Sequence, residues 1–266
     1  MSISRTLCLA AALLCTSSIA TARTIGPDGF GYTATDEIAF NWIDISTTGT
    51  DLNIGSDSWT MAPLGFDFSF YGQTNHQVNV NANGVLSIVD GFDGWVGYMN
   101  TPLPGVNHYQ SNYFMAVYWE NLWPLRPGIP GDTIYYETQG SPGERYFITQ
   151  WNNVTSAWQW GYPSNTMTFQ AILFEGTNDI LFQYLYLDPT EGNGATVGLQ
   201  EETIGLEWSY NQALSEQLAI CFSYNGTNCG ITTDPGNPGT SVASPATLAL
   251  MGLGLVGLAG FRRRSY

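Results

Sequence analysis

No lysine occurs anywhere in the 266 residues, and seven arginines face 22 acidic side chains. A lysine Schiff base or lysine nucleophile is therefore excluded. A nucleic-acid or phosphate surface is excluded on similar grounds, because it needs clustered cations to release counterions. Histidine is almost as scarce, with His76 and His108 alone. Both read as surface or turn residues rather than catalytic bases. No Gly-x-Ser-x-Gly elbow is present, so the usual placement of a serine nucleophile on a strand-to-helix turn is missing. Between residues 23 and 243 no segment carries a sustained 3.6-residue apolar period, which excludes a helical bundle.

Two segments are long and apolar, and they lie at the two ends of the chain. Residues 1–22 carry one cation, Arg5, then an apolar stretch over residues 7–14, then Ala20-Thr-Ala22. This is the pattern of a secretory signal peptide, with cleavage expected between Ala22 and Arg23. Cys8 and Cys15 leave with it. At the other end, residues 246–261 form an uncharged run followed by Arg262, Arg263 and Arg264. As a helix this run is about 24 Å long, somewhat under the ~30 Å of a hydrocarbon core. The three arginines would stay on the cytoplasmic side.

Removal of both ends leaves one domain, about 23–231, and a Pro/Gly/Thr-rich flexible linker over 232–243. Three cations against 22 acids leave this part a formal charge of −19. Such acidity favours solubility outside the cell, and it also suits binding of divalent or cationic material. Cys221 and Cys229 remain, flanking Asn225-Gly226, a hairpin turn signal. In an exported chain this spacing predicts a disulfide. Closing so short a loop stabilises by roughly 2–3 kcal/mol.

The pattern between the ends is β throughout. Residues 37–46 read as an apolar, aromatic-rich strand. Residues 65–72 alternate with period two and put Phe66, Phe68 and Phe70 on one face. Residues 78–82 and 85–89 flank Asn83-Gly84 and read as a hairpin. Strands follow at 114–119, 133–137, 145–151, 166–174, 180–187, 195–200, 206–210 and 217–224. The run 180–187 is apolar on both sides, as expected of a central strand covered on both faces. The fold class is therefore all-β, an antiparallel β-sandwich or jelly roll, with a signal helix before it and a transmembrane helix after it.

Trp158-Gln-Trp160-Gly-Tyr162 would place three rings on one side of an extended segment, a pattern suited to stacking on sugar rings. Glu120, between Trp119 and Trp123, is the first carboxylate to inspect for glycoside hydrolysis, which needs a carboxyl pair. The loops holding Asp90 and Asp93, and Asp188 and Glu191, have the composition of calcium-binding loops without EF-hand spacing. Calcium is the one candidate ion; no cofactor is expected.

Two resemblances follow from these residues. The tail, from Val242 to Arg264 with Pro245-Ala-Thr-Leu-Ala-Leu-Met-Gly at its start, resembles the PEP-CTERM sorting signals of Gram-negative bacteria. It departs from the motif at Ala243 and Ser244, where the family has proline and glutamate. The resemblance implies export across the inner membrane and cutting near Ser244, Pro245 and Ala246 by an exosortase-like membrane protease. A retained anchor is the alternative. Gly65-Phe-Asp-Phe-Ser-Phe-Tyr-Gly72, Asn83-Gly-Val-Leu-Ser87, Met115-Ala-Val-Tyr-Trp-Glu-Asn-Leu122, Phe147-Ile-Thr-Gln-Trp-Asn-Asn-Val154 and Thr168-Phe-Gln-Ala-Ile-Leu-Phe174 occur in the order seen in nidogen-like extracellular domains. That resemblance implies adhesion or matrix association and brings no catalytic set. The expected function is a non-enzymatic, surface- or matrix-associated protein, with a carbohydrate-binding module as the alternative and extracellular polysaccharide as a partner.

Overall fold

The β pattern forms two antiparallel sheets. The computed structural model describes residues 22–88, 96–105, 113–158, 165–187, 194–224, 226 and 229, all within one unit, Ala22–Thr232. The signal peptide, the linker and the tail, with Ser244, Pro245, Ala246, Arg262, Arg263 and Arg264, lie outside the described residues. Among the described residues no helix is long and apolar enough to cross a membrane.

In chain order the strands are β1 (Thr24–Ile25), β2 (Thr33–Thr35), β3 (Thr50–Asp51), β4 (Trp59–Phe70), β5 (Gln73–Asn81), β6 (Val85–Ser87), β7 (Tyr113–Trp119) and β8 (Leu122–Trp123). They continue as β9 (Thr133–Gln139), β10 (Tyr146–Ser156), β11 (Met167–Phe174), β12 (Ile180–Tyr186), β13 (Thr196–Glu201), β14 (Ile204–Tyr210) and β15 (Leu218–Ser223). One sheet runs β1-β2-β15-β12-β11-β10-β9-β3, with β8 also paired to β10. The other runs β14-β13-β7-β6-β5-β4.

One apolar core lies between them. Phe66, Phe68 and Phe70 of β4 meet Phe147, Phe169, Phe182 and Phe222 of the larger sheet in a single buried cluster. Period-two alternation in β4 sends these rings inward and leaves Pro63, Gly65 and Asp67 outward. The fold is a β-sandwich. The long edge strand β4 is closed to further pairing by side chains of the opposite sheet. Thr138 donates to Leu64 O at 2.9 Å, Arg145 donates to Gly65 O, and Asn178 Oδ1 accepts from Ser69 N at 2.8 Å.

The segment 37–46 departs from expectation. It is not a strand but an extended strap across the outer face of the larger sheet. Three glutamines stand in register on adjacent strands, Gln150 opposite Gln170 and Gln170 opposite Gln183. All are buried. Gln183 Oε1 accepts from Asn41 N at 2.8 Å and its Nε2 donates to Asn41 O at 3.0 Å. With its amide oriented to satisfy its neighbours, Gln170 donates to Ile43 O at 3.0 Å, and Gln150 Oε1 accepts from Ile45 N at 3.0 Å. Side-chain amides thus satisfy a main chain that crosses the strands and cannot join their ladder. The strap seals Ile148, Ile172 and Leu181 beneath it, which gives β12 its cover on the second face.

The smaller sheet repeats the device. Segment 96–105 lies over Val85, Phe114, Ala116 and Trp119. There Gln200 brackets Gly105, accepting from its N at 2.7 Å and donating to its O at 2.8 Å. Cys221 and Cys229 form the expected disulfide, with Cα atoms 5.8 Å apart.

Candidate carbohydrate-binding site

The site is built from the turn Ala82-Asn83-Gly84. Asn83 O accepts from Glu120 N at 3.3 Å, and Asn83 Oδ1 accepts from Leu122 N at 3.0 Å. Gly84 O accepts from both Val117 N and Tyr118 N at 3.0 Å. A Cβ at Gly84, where φ is +74°, would lie 2.0 Å from Tyr118 O. The Asn-Gly pair therefore fixes the path from β7 into β8, and with it Glu120 and Trp123. Trp119 in turn donates its indole N–H to Gly97 O at 2.7 Å, and Asn81 Nδ2 donates to Val96 O at 3.2 Å. These bonds bring Tyr98 beside Trp158, with ring centroids 6.1 Å apart and planes at 68°.

Large exposed apolar side chains gather at this end. Trp158, which follows β10, is 56% exposed, and Trp123, opposite Thr155 on β10, is 36% exposed. Leu125 and Met99 are also exposed, and Tyr186 projects from the same end of β12, opposite Thr168. Trp158, Met99 and Tyr186 are among the most exposed of the seven large hydrophobics exposed among the described residues.

Ser156 ties the rings to a buried polar layer. Its Oγ donates to Glu120 Oε1 at 3.0 Å and accepts from Trp158 N at 3.3 Å. Its carbonyl accepts from Arg126 Nη1 at 3.2 Å. The Arg126 guanidinium lies 4.8 Å from the centre of the Trp123 ring. Asp132 Oδ2 accepts from Arg126 N at 2.8 Å. Burial pushes the Asp132 carboxyl up to about 6, against the backbone N–H groups of Arg126 and Leu125 and the Arg126 charge, which pull it down. Exposed rings over fixed polar groups can stack on the apolar faces of sugar rings while polar neighbours meet the hydroxyls. A carboxylate engaged as an acceptor by Ser156 suits a supporting role.

The sequence-predicted residues divide clearly. Trp158 is exposed; Trp160 and Tyr162 lie outside the described residues. So do Asp90, Asp93, Asp188 and Glu191, and His108. His76 sits exposed within β5 rather than ahead of it. Glu120 is buried at the end of β7. Among the described residues no cluster of three or more His, Cys, Asp or Glu is suited to a metal. Sequence reasoning missed Tyr98, Ser156 and Arg126. Only Ser156, two residues before Trp158 on the strand, carried a local signal.

A concavity of about 440 Å³ lies away from these rings, on the outer face of the larger sheet, between the strap and residues 143–146. Several of its polar groups are engaged within the protein. Gln183 holds Asn41, and Arg145 pairs with Glu175 at 2.5 Å. That pair, chiefly through the Arg145 hydrogen bond, lowers the Glu175 carboxyl to about 2.

A family model described as NIDO related matches residues 31–242. The chain belongs to the NIDO-related family. Comparisons with curated proteins and with solved structures returned no match. The NIDO-related match covers the strands from β2 to β15 and the aromatic end together. It is a nidogen-like domain of extracellular type, in keeping with the Cys221–Cys229 disulfide.

Proposed function

We propose that this NIDO-related chain is an exported, non-enzymatic protein of the cell surface or extracellular matrix, and that it holds polysaccharide on the face built around Trp158. The observation that carries the reading is Trp158 itself. It is more than half exposed, set against Tyr98, and held from below through Ser156 and Glu120. Exposed aromatic side chains on segments that a rigid scaffold positions are suited to binding. The formal charge of −19 over residues 23–243 directs the choice of polymer. Polyanionic polymers are repelled, and neutral or amino-sugar polymers are favoured. Trp158→Ala should abolish retention on immobilised neutral or amino-sugar polysaccharide while circular dichroism stays unchanged. Full retention by that variant would remove the reading.

Export rests on the two ends of the chain. A leader cut between Ala22 and Arg23 and a tail handled by an exosortase-like protease place the domain outside the inner membrane, and an uncut tail leaves it anchored there. Mass spectrometry of the mature C terminus separates the two. A terminus near Ser244–Ala246 supports sorting, and an intact Tyr266 supports anchoring.

A further inference from the structure

Arg23 stands at the seam between the two sheets. Its main-chain nitrogen donates to Asp36 Oδ1 at 2.5 Å, and Asp36 N donates back to Arg23 O at 3.1 Å. The two residues close a ring just ahead of the β1–β2 ladder, in which Thr24 pairs with Thr35. Thr24 Oγ1 adds a bond to Thr35 Oγ1 at 2.9 Å. The Arg23 side chain turns the other way. Its guanidinium lies 4.4 Å from the centre of the Trp208 ring, on β14, the edge strand of the smaller sheet. β14 and β2 are in contact. One residue thus touches both sheets where their edges meet.

We infer that cleavage before Arg23 creates a structural ion pair, the new α-ammonium of Arg23 on the carboxylate of Asp36. The inference rests on the export reading above. Hydrolysis of the Ala22–Arg23 peptide by a signal peptidase puts the hydroxyl of water on the Ala22 carbonyl. It leaves Arg23 with an amino group, which takes a proton from solvent. A neutral N–H donor becomes a cationic one in a place where a carboxylate already accepts from it. The bond is already charge-assisted through the Asp36 carboxylate, and the ammonium adds a direct, solvent-exposed ion pair to it. An α-amino group ordinarily titrates near 7.7–8.0, so the pair is formed at neutral pH.

The other charged groups facing this corner are few. They are the Arg23 guanidinium itself and Glu37 beside Asp36; Glu207, next to Trp208 in sequence, is turned to the other face of β14. Glu207 accepts from Leu103 N at 2.8 Å. Pairing raises the folded-state pKa of the amine. Its contribution is therefore complete below the unfolded value and is lost as pH rises through the folded one. Maturation on this view does more than free the chain from its leader: it strengthens the seam at β1.

The test compares the chain from Arg23 to its natural C terminus with the same chain carrying Gly-Ser ahead of Ala22, in identical buffer and detergent. The Arg23-first chain is expected to melt about 2–4 °C higher at pH 6.5, the shift a modest pair gives a domain of this size. The advantage should vanish at pH 10 and in the Asp36→Asn background. Equal Tm values at pH 6.5, or an advantage that survives Asp36→Asn, overturn the inference. Sequencing the N terminus of the exported protein tests the export reading separately. A terminus other than Arg23 overturns that reading and removes the setting of the pair, whereas matched Tm values with Arg23 first overturn the inference alone.

Discussion

Gln183 grips both ends of one peptide unit's residue: it accepts from Asn41 N and donates to Asn41 O, from a position wholly buried on β12. Together with Gln150 and Gln170 it fastens a strap that crosses the strands. Gln183→Ala leaves those groups and Gln170 short of partners and opens a cavity under the strap. Stability should fall by about 1–3 kcal/mol in urea unfolding. Amide exchange at Asn41 should accelerate by more than that at Phe182, because the strap is released first.

Gly84 offers a sharper loss. A methyl group there meets the Tyr118 carbonyl at 2.0 Å in a backbone conformation that favours glycine. Gly84→Ala should destabilise by at least about 3 kcal/mol. It should also disturb the Trp158 fluorescence environment, since the same turn sets Glu120. An Ala variant with an unchanged denaturation midpoint would show that the turn can relax without loss.

Asp132 predicts a pH dependence. Its folded-state carboxyl titrates near 6, above the ordinary 3.8. The folded chain thus holds this proton more tightly than the unfolded one. The contribution is complete below pH ~4 and declines as pH rises through ~6. Asp132→Asn removes the decline while keeping an acceptor for Arg126 N. Relative to the wild type, the variant should gain on the order of 1–2 kcal/mol between pH 4 and pH 7. A difference that stays flat over that range would mean that the carboxyl titrates normally.

The disulfide predicts a redox effect. Cys221 and Cys229 are eight residues apart, and Cys229 N also donates to Asp179 Oδ2 at 3.1 Å. Replacing both cysteines by serine should lower stability by about 2–3 kcal/mol. Addition of a reductant to the wild type should reproduce that shift in the denaturation midpoint, and leave the double variant unmoved.

Much of this was readable from local pattern. The alternation of Phe66, Phe68 and Phe70, the Asn83-Gly84 turn and the cysteine spacing each carry their structural meaning within a few residues. The strap was not readable, because residues 37–46 have the apolar content of a strand. What decides their course is a row of glutamines more than a hundred residues away, brought into line only by the register of β10, β11 and β12. The candidate site divides the same way. Trp158 announced itself by composition. Tyr98 reaches it only because Trp119 bonds to Gly97, and Glu120 connects to it only because the pairing of β8 with β10 sets Ser156 opposite Leu122.

The central claim, that the face around Trp158 holds polysaccharide, is tested most directly by titrating the protein with neutral and amino-sugar oligosaccharides while following tryptophan fluorescence. The account predicts a saturable change with at least one of these ligands, lost in Trp158→Ala and retained in Gln183→Ala at a temperature where both are folded. A wild-type signal that none of the sugars moves, or one that Trp158→Ala leaves intact, would contradict it.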